Sequence, residues 1–154
     1  NILMKGYLKN PAATQQAFAG WWFHTGDLAV QYPDGYIKIR DRSKDIIISG
    51  GENISTIEVE RCIYEHPAVL EVAVIAIPDE RWSERPLACV VWKPGVSATP
   101  ESLNEHLLAK GFAKWQLPDD VLFEDVIPLT STGKIDKKRI RAGLVERGYM
   151  LKDG

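Results

Sequence analysis

The spacing of apolar and polar positions is clearest in the second part of the chain. Four runs rich in β-branched residues, Ile46–Ser49, Val69–Ile77, Leu87–Trp92 and Val121–Phe123, predict strands. The charged span Glu80–Pro86 separates the second run from the third and predicts a loop. The second and third runs contain few charges, so we expect both strands to be buried.

Three segments show helical spacing and lie between capping and breaking residues. Ser55 can cap the first helix, Glu58 completes a capping box three residues later, and Pro67 stops the helix. Asp136 is placed to cap the third helix. The predicted helices lie between Ser55 and Pro67, between Thr99 and Gly111, and from Lys137 to Arg147.

The order of these elements is β-α-β-β-α-β-loop-α. This order predicts an α+β fold in which helices pack on a small, roughly three-stranded sheet. Thr130–Lys134 forms the polar loop before the last helix, and we expect the tail from Tyr149 onward to fray.

The first 40 residues show weaker patterns. Ala12–Phe18 predicts a short helix, and the aromatic run Trp21–Phe23 predicts extended structure. Leu28–Arg40 predicts a β-hairpin, because Pro33-Asp34-Gly35 favours a turn between two strand-like runs. This part of the chain is therefore expected to be β-rich.

The segment Asp41–Ser55 joins the two parts. It begins with four charges in five residues, continues into three isoleucines and breaks at Gly50-Gly51. A short charged segment before a buried strand is expected at a domain boundary. We therefore expect residues 1–41 to end one domain, residues 42–45 to form a hinge, and residues 46–154 to form a second domain. Because the chain starts at Asn1, without an initiator methionine, we expect it to be part of a longer protein.

The composition is that of an ordinary globular protein. The 154 residues are 45% hydrophobic and 26% charged, with a net charge of -2, so there is no general attraction for nucleic acid or for an anionic membrane. No apolar run approaches the ~20 residues of a membrane span. Cys62 and Cys89 lie in apolar segments without metal-like spacing, and we expect both to be buried, reduced thiols of a cytoplasmic protein.

Three polar residues in the first part suggest a nucleotide contact. Asp27 follows Thr25-Gly26, where a fixed carboxylate could accept hydrogen bonds from neighbouring ribose hydroxyl groups. The alternative is a turn residue that bonds its own backbone. Arg42 and Lys44 fall on one side of an extended segment, where they could support the same nucleotide, form a swivel, or be solvated charges.

Two glycine-containing segments in the second part suggest further chemistry. Gly50-Gly51 could let a thin ligand pass against bare backbone, although taken alone the pair favours a simple strand-ending turn. The sequence Ser131–Lys134 is not a P-loop, because the upstream glycine is absent and Ile135 replaces the magnesium-binding serine or threonine. Lys134 could still stabilise negative charge on a phosphate, or it could be an ordinary exposed lysine.

Five motifs occur in a fixed order along nearly the whole chain: Trp22–Asp27, Asp34–Tyr36, Asp41–Asp45, Ser49–Ile54 and Thr130–Lys134. Together they resemble the adenylate-forming superfamily, which contains acyl-CoA synthetases, adenylation domains of peptide synthetases, and luciferases. The segments Lys114–Asp120 and Ile46–Ser55 are most similar to bacterial medium- and long-chain fatty acyl-CoA synthetases.

The resemblance implies an acid–thiol ligase that uses ATP, Mg²⁺ and coenzyme A. A fatty acid would first form acyl-AMP and pyrophosphate, and coenzyme A would then form the thioester. It also implies that the small C-terminal domain rotates about Lys44 between the two steps. Lys134 would be the adenylation lysine, while Asp27 and Arg42 would bind the AMP ribose.

The same resemblance implies a passage for the pantetheine arm of coenzyme A. Gly50 and Gly51 would line this tunnel, and Trp82 and Trp115 would contact coenzyme A. Two residues depart from the family pattern, since Trp21 and Ser83 stand where relatives often have glycine. Both departures lie beside the motifs rather than inside them.

The large N-terminal domain of the superfamily is missing from this chain, so residues 1–40 would be its last piece and its own N-terminal domain would be a partner. We expect the aromatic residues Trp21, Trp22 and Phe23 to be exposed and to favour self-association. Two rivals remain: an adenylation domain that loads a carrier protein, and a non-catalytic docking module. The activated acid is not encoded here, since the acyl pocket would lie in the missing domain.

Overall fold

The computed structural model describes residues 3–96 and 98–149, which form two compact units, Asn1–Lys44 and Asp45–Gly154. The α-helices are α1 Pro11–Ala17, α2 Thr56–Tyr64, α3 Pro100–Ala109 and α4 Lys137–Glu146. The strands are β1 Asp27–Gln31, β2 Ile37–Arg42, β3 Ile47–Ser49, β4 Glu52–Ile54, β5 Val69–Asp79, β6 Ser83–Trp92 and β7 Asp120–Phe123. Two single 3₁₀ turns cover Ala19–Trp21 and Lys114–Gln116.

The first unit contains the predicted helix and the predicted hairpin. The Asn10 side chain caps α1 by accepting a hydrogen bond from the Ala13 amide, and β1 pairs antiparallel with β2. The prediction of extended structure at Trp21–Phe23 is wrong at its start. Gly20 and Trp21 adopt positive φ angles of 66° and 70°, so the chain turns where aromatic residues alone favour a strand.

The exposure expected for the aromatic run is confirmed for two of its three residues. The Trp21 side chain is 98% exposed and Trp22 is 79% exposed. Phe23 is half-buried instead, because its ring packs at 5.1 Å from the ring of Phe18. A two-residue aromatic patch therefore remains on the surface of the described first unit.

The second unit has the predicted α+β fold, but its sheet has five strands rather than roughly three. The strand order is β4-β3-β6-β5, and β7 also pairs with β6. β3 pairs with β6 at Ser83, whereas β7 pairs with Leu87–Val90 of the same strand. β7 runs parallel to β6 after the crossover through α3, and the other pairs are antiparallel. β4 escaped prediction because Glu52 and Asn53 have low strand propensity. This strand is held by hairpin pairing to β3 instead.

The predicted loop Glu80–Pro86 is also shorter than expected. β5 continues to Asp79 and β6 begins at Ser83, so only three residues connect them. The polar strand ends pair with each other, as Pro78 does with Glu84 and Ile77 with Arg85. Pairing within the β5–β6 hairpin thus extends the strands into residues whose side chains alone favour a loop.

The three helices of the second unit begin at the predicted caps. The Ser55 hydroxyl accepts a hydrogen bond from the Glu58 amide, and Asp136 accepts one from the Arg139 amide. Thr99 caps α3 with reciprocal bonds to Ser102. The tail predicted to fray lies, apart from Tyr149, outside the described residues.

The sheet is covered on both faces, which explains why the central stretches of β5 (residues 72–75) and β6 (residues 85–91) are buried. One core lies between the sheet and helices α2 and α3, and includes Val72, Val74 and Leu107. The other lies between the sheet and α4, and includes Ile75 and Leu144. The 110-residue second unit thus has one apolar cluster on each face of its sheet. Close packing of these clusters holds the strands, and the turns between them, in fixed positions.

Each core contains one of the two cysteines, and both are buried free thiols, as predicted. Burial raises the pKa of the Cys89 thiol to about 12, so the thiolate is disfavoured at neutral pH. None of the described helices has the length and apolar character needed to cross a membrane.

Candidate functional site

Gly50 and Gly51 form the two-residue turn of the β3–β4 hairpin. Their φ angles are 61° and 88°, and Ser49 pairs with Glu52 across the turn. Positive φ at both central positions is the geometry that favours Gly-Gly in such hairpins. The strand-ending turn considered for this pair is therefore present, and it presents bare backbone at the end of the sheet.

Gly50 also lies directly against the ring of Trp82. A Cβ atom added at Gly50 would stand 2.8 Å from Trp82 Cε3, whereas one added at Gly51 would meet nothing within 4 Å. The Gly50 amide donates a hydrogen bond of 2.7 Å to the Trp82 carbonyl. Gly50 is thus required by its packing as well as by its turn, while Gly51 is required only by the turn.

The β5–β6 turn that carries Trp82 is organised by a carboxylate. Asp79 Oδ1 accepts hydrogen bonds from the amides of Arg81 and Trp82, at 2.9 Å and 2.7 Å. The Arg81 guanidinium lies 4.7 Å from the centre of the Trp82 ring, within cation–π distance. The next residue, Ser83, has a φ of 73°, a conformation that glycine adopts without strain.

Arg85 lies beneath this turn and is almost completely buried, with 7% of its surface exposed. Its guanidinium makes two hydrogen bonds to the Asp119 carboxylate, at 2.6 Å and 2.7 Å. It also donates to Ser49 Oγ at 2.9 Å and to the Trp115 carbonyl at 2.6 Å. The hydrogen bond to Asp119 raises the pKa of Arg85 above its usual value.

These residues enclose a groove of about 650 Å³, lined by Ser49, Gly50, Glu52, Trp82, Arg85, Lys114 and Trp115. The groove brings together Gly50, Trp82 and Trp115, three of the four residues predicted for the pantetheine tunnel. The fourth, Gly51, does not line it. Both tryptophans are about 40% exposed, so each presents one ring surface to solvent. A narrow chain with few polar groups fits such a groove.

Lys134 lies outside this groove, at the end of a tight turn. The Thr130 amide donates to the Lys134 carbonyl at 2.7 Å, and the Gly133 amide donates to the Thr130 carbonyl at 2.9 Å. Leu129 and Ile135 pair across the base of the turn. Lys134 is exposed, and within the described residues no carboxylate forms an ion pair with its ammonium group.

The Lys134 turn is anchored from below by a half-buried ion pair. Lys137 Nζ, in the first turn of α4, lies 2.8 Å from Glu60 Oε1 and 2.7 Å from Thr56 Oγ1, both in α2. The same Glu60 oxygen accepts a hydrogen bond from the Val74 amide of β5. The exposed Lys134 thus lies three residues before Lys137, which is bonded to α2 and, through Glu60, to the sheet.

In the first unit, Asp27 and Arg42 are brought together. They are paired across β1 and β2, and Arg42 Nε lies 3.5 Å from Asp27 Oδ1. The Asp27 amide donates to Thr25 Oγ1, and both the amide and the hydroxyl of Ser43 donate to the Gly26 carbonyl. These backbone contacts fix the strand position of Asp27, and Arg42 lies beside one of its carboxylate oxygens.

The charged segment around Lys44 is only partly the exposed run that we expected. Arg42 belongs to β2, and Asp41 is buried, with its carboxylate accepting from the Arg42 amide at 2.7 Å. Asp45 forms an ion pair of 2.7 Å with Arg141 of α4. The Arg42 amide and the Arg141 side chain therefore bind two of the charges, those of Asp41 and Asp45. Lys44 is the last residue of the first unit.

Two features of these sites escape prediction from the sequence. The position of Arg85 in a charged span predicts a solvated residue, but Asp119, 34 positions away, supplies the counter-charge for its burial. Likewise, Lys137 is one of several basic residues in α4, and nothing local singles it out. In both cases a long-range partner decides which charge is buried.

No group of three or more His, Cys, Asp or Glu side chains in residues 3–96 and 98–149 is arranged to hold a metal ion. A divalent cation in this part of the protein would therefore need ligands from a bound phosphate or from elsewhere.

Comparisons with known proteins give the family of this chain. Residues 58–134 match the family of the AMP-binding enzyme C-terminal domain. An acetate–CoA ligase of Humulus lupulus is 53% identical over 160 residues, covering 99% of this chain and 27% of the relative. A long-chain-fatty-acid–CoA ligase of Thermus thermophilus is 53% identical over 137 residues, covering 88% and 25%.

A solved structure, ATP-bound MatB from Rhodopseudomonas palustris, superposes with a TM-score of 0.81 at 33% identity. The match covers 91% of this chain and 28% of that one. The chain thus spans about a quarter of the length of the curated relatives it matches.

Proposed function

Because this chain belongs to the AMP-binding enzyme C-terminal domain family, we propose that it is the mobile C-terminal part of an ATP-dependent acyl-CoA synthetase. The resemblance to the adenylate-forming superfamily that the five motifs carry is confirmed. The activity of the whole protein is our proposal, as are its substrates, its partners and the role of each residue below.

In the first half-reaction, Lys134 is the adenylation lysine. A carboxylate oxygen of the acid attacks the α-phosphorus of ATP, a new O–P bond forms, and the bond to pyrophosphate breaks. Negative charge spreads over the phosphoryl oxygens during this exchange, so a cation beside them lowers the barrier. Lys134 suits this role because its ammonium group is exposed and has no ion-pair partner in the described residues.

Asp27 holds the ribose of the nucleotide, with support from Arg42. A carboxylate has enough lone pairs to accept from two neighbouring hydroxyl groups while one oxygen remains near a guanidinium. The contact of 3.5 Å between Arg42 and Asp27 leaves room for such sharing. Both residues lie on a two-stranded sheet, which fixes the distance between them.

In the second half-reaction, the groove admits the pantetheine arm of coenzyme A. The thiol gives up its proton to water, its sulfur attacks the acyl carbonyl carbon of acyl-AMP and forms the C–S bond, and AMP leaves with the electrons of the broken C–O bond. Gly50 provides the wall without a side chain, and the rings of Trp82 and Trp115 flank the arm. Gly51 supports the wall through the turn rather than by direct contact.

A rotation between residues 42 and 45 exchanges the two sites, with Lys44 as the pivot. Lys134 does not line the groove, so each of the two steps requires its own orientation of the domain. Withdrawal of Lys134 after adenylation also clears space for the thiol. Such a domain motion belongs to the microsecond-to-millisecond range. By this proposal, residues 1–41 end the large N-terminal domain and residues 46–154 form the moving one.

The cofactors follow from these two steps. ATP and coenzyme A are the substrates that the described residues are suited to bind. The described residues do not fit a Mg²⁺ site of their own, so the ion would be held by the phosphates of ATP and by the rest of the protein. We place the enzyme in the cytoplasm and take a fatty acid as its acid substrate, with the large N-terminal domain as its partner.

A second candidate keeps adenylation but changes the acceptor to the phosphopantetheine arm of a carrier protein. One observation permits it: the side-chain-free wall at Gly50 would fit the same arm on either acceptor. Dependence of product formation on free coenzyme A separates the two candidates, since the carrier-loading enzyme would leave coenzyme A unused.

The single observation that carries the proposal is the exposed Lys134 at the end of a hydrogen-bonded turn on an anchored base. The test is product formation by the full-length protein with ATP, coenzyme A and acids from acetate to palmitate. We expect AMP, pyrophosphate and an acyl-CoA in equal amounts. The 154-residue chain alone is expected to be inactive, and acyl-CoA formation by this chain with octanoate would contradict the division of labour proposed here.

A further inference from the structure

We propose that Arg85 is a positioning residue that sets the width of the groove, and this inference rests on the proposed thiol step. Arg85 is not assigned a contact with coenzyme A. It acts through the two walls of the groove, which come from parts of the chain that are distant in sequence.

The two walls have no other shared charged anchor among the contacts of the described groove residues. On one side, Ser49 precedes the Gly50 turn and accepts from one terminal nitrogen of Arg85. On the other side, the carbonyl of Trp115 accepts from the same nitrogen. One planar group therefore fixes the distance between the wall at Gly50 and the wall at Trp115.

The orientation of the guanidinium is itself fixed from behind. Asp119 binds the opposite edge through both carboxylate oxygens, and the Leu117 carbonyl accepts a further bond at 3.3 Å. A bidentate arginine–carboxylate pair restricts both the distance between the two groups and the plane of the guanidinium. The pair is partly accessible from the side of Asp119, which is 48% exposed, and buried at Arg85.

Lysine cannot reproduce this arrangement, although it keeps the charge. Its ammonium group has three donors around one atom, whereas arginine presents five donors in a rigid planar fork. A lysine at residue 85 could remain paired with Asp119 but would release at least one wall. A groove that is too wide would bind the pantetheine arm poorly and present the thiol out of line.

Arg85→Lys in the full-length protein tests this inference. We expect the KM for coenzyme A to rise roughly tenfold, the change that corresponds to losing about one charge-assisted hydrogen bond, while the rate of acyl-AMP formation stays within about twofold of wild type. Fluorescence of Trp82 and Trp115 on addition of coenzyme A supplies a direct readout of binding. Ser49→Ala should reproduce part of the effect, because it frees one wall and leaves the Asp119 pair intact.

Arg147→Lys is the matched control. Arg147 also pairs with a carboxylate, that of Glu124, but it lines a separate cavity against α4 and not the groove. We expect this variant to keep the wild-type KM for coenzyme A.

Three outcomes are distinguishable. If wild type forms no coenzyme A thioester, the proposed function fails. If wild type is active and Arg85→Lys leaves the KM for coenzyme A unchanged, only the role of Arg85 is overturned. If both half-reactions fall equally and the variant unfolds at a lower temperature, Arg85 merely stabilises the fold and the positioning role is again overturned.

Discussion

The groove at Gly50 and the turn at Lys134 belong to the same unit but are built in opposite ways. The groove rests on buried polar groups, with Ser49 5% and Arg85 7% exposed, and each guanidinium donor group has an acceptor. The Lys134 turn is exposed from Ser131 to Ile135, and its anchor at Lys137 is half-buried.

This difference corresponds to two different chemical demands. A passage for a thin arm must keep its width, and a fully bonded buried network supplies that rigidity. A lysine that stabilises a passing charge must reach its target and later leave it, so its side chain must stay free while its backbone is held. Under the proposed function, the comparison therefore separates a preformed binding surface from a movable charged group.

The largest effect is expected at the movable group. Lys134→Ala should slow acyl-AMP formation by about 100- to 1000-fold, because a cation beside the developing phosphoryl charge is lost. Pyrophosphate release with saturating ATP and fatty acid measures this rate. Lys138→Ala, an exposed lysine in the same helix-and-turn segment, is the control and should retain the wild-type rate. Equal rates for wild type and Lys134→Ala would remove Lys134 from the mechanism.

The next effect is expected in the wall of the groove. Gly50→Ala should slow thioester formation by about 100-fold, because its Cβ would stand 2.8 Å from the Trp82 ring and would displace it. Gly51→Ala has a similar positive φ but meets no neighbouring atom, so it separates backbone strain from the clash. If both variants slow the step equally, the contact with Trp82 is irrelevant.

A smaller effect is expected at the anchor of the Lys134 turn. Glu60→Gln leaves the Lys137 ammonium without its half-buried counter-charge, which should lower the free energy of unfolding by about 2 kcal/mol and slow acyl-AMP formation about tenfold. Chemical denaturation and pyrophosphate release measure the two quantities. Glu65→Gln in the exposed pair with Lys110 is the control, and it should change neither. A loss of stability with an unchanged rate would show that the anchor does not position Lys134.

The smallest effect is a stabilisation at the edge of the groove. Ser83 has a φ of 73°, so Ser83→Gly should raise the free energy of unfolding by about 1 kcal/mol and leave both half-reactions unchanged. Thermal unfolding measures this gain. A lower melting temperature for the glycine variant would mean that the serine side chain compensates for its backbone conformation.

Ser83 and Trp21 also show how sequence and structure inform each other. Both were noted as departures from glycine in the family pattern, and both adopt positive φ in the structure. The family pattern singles out Trp21 and Ser83, and their positive φ angles explain why glycine is favoured at both positions. The stretches that follow a local rule, such as the Ser55 cap and the hairpin of β1 and β2, were predictable for the same reason: one turn or cap decides them.

What could not be predicted depends on partners far away in the chain. The burial of Arg85 and the anchoring of Lys137 each require a contact that no local pattern encodes. The burial of Asp41 likewise contradicts the exposure expected from a run of charges. Individual site residues were therefore recognisable by motif, while the interactions that hold them were not.

The central claim is that one domain carries two separate sites that act in turn. The most direct measurement is thioester formation from supplied acyl-AMP and coenzyme A by full-length Lys134→Ala and Gly50→Ala. The account predicts that Lys134→Ala keeps the wild-type rate in this step, whereas Gly50→Ala loses it but still releases pyrophosphate normally. If Lys134→Ala loses both half-reactions while remaining folded, the two sites are not separate and the alternation of the domain is contradicted.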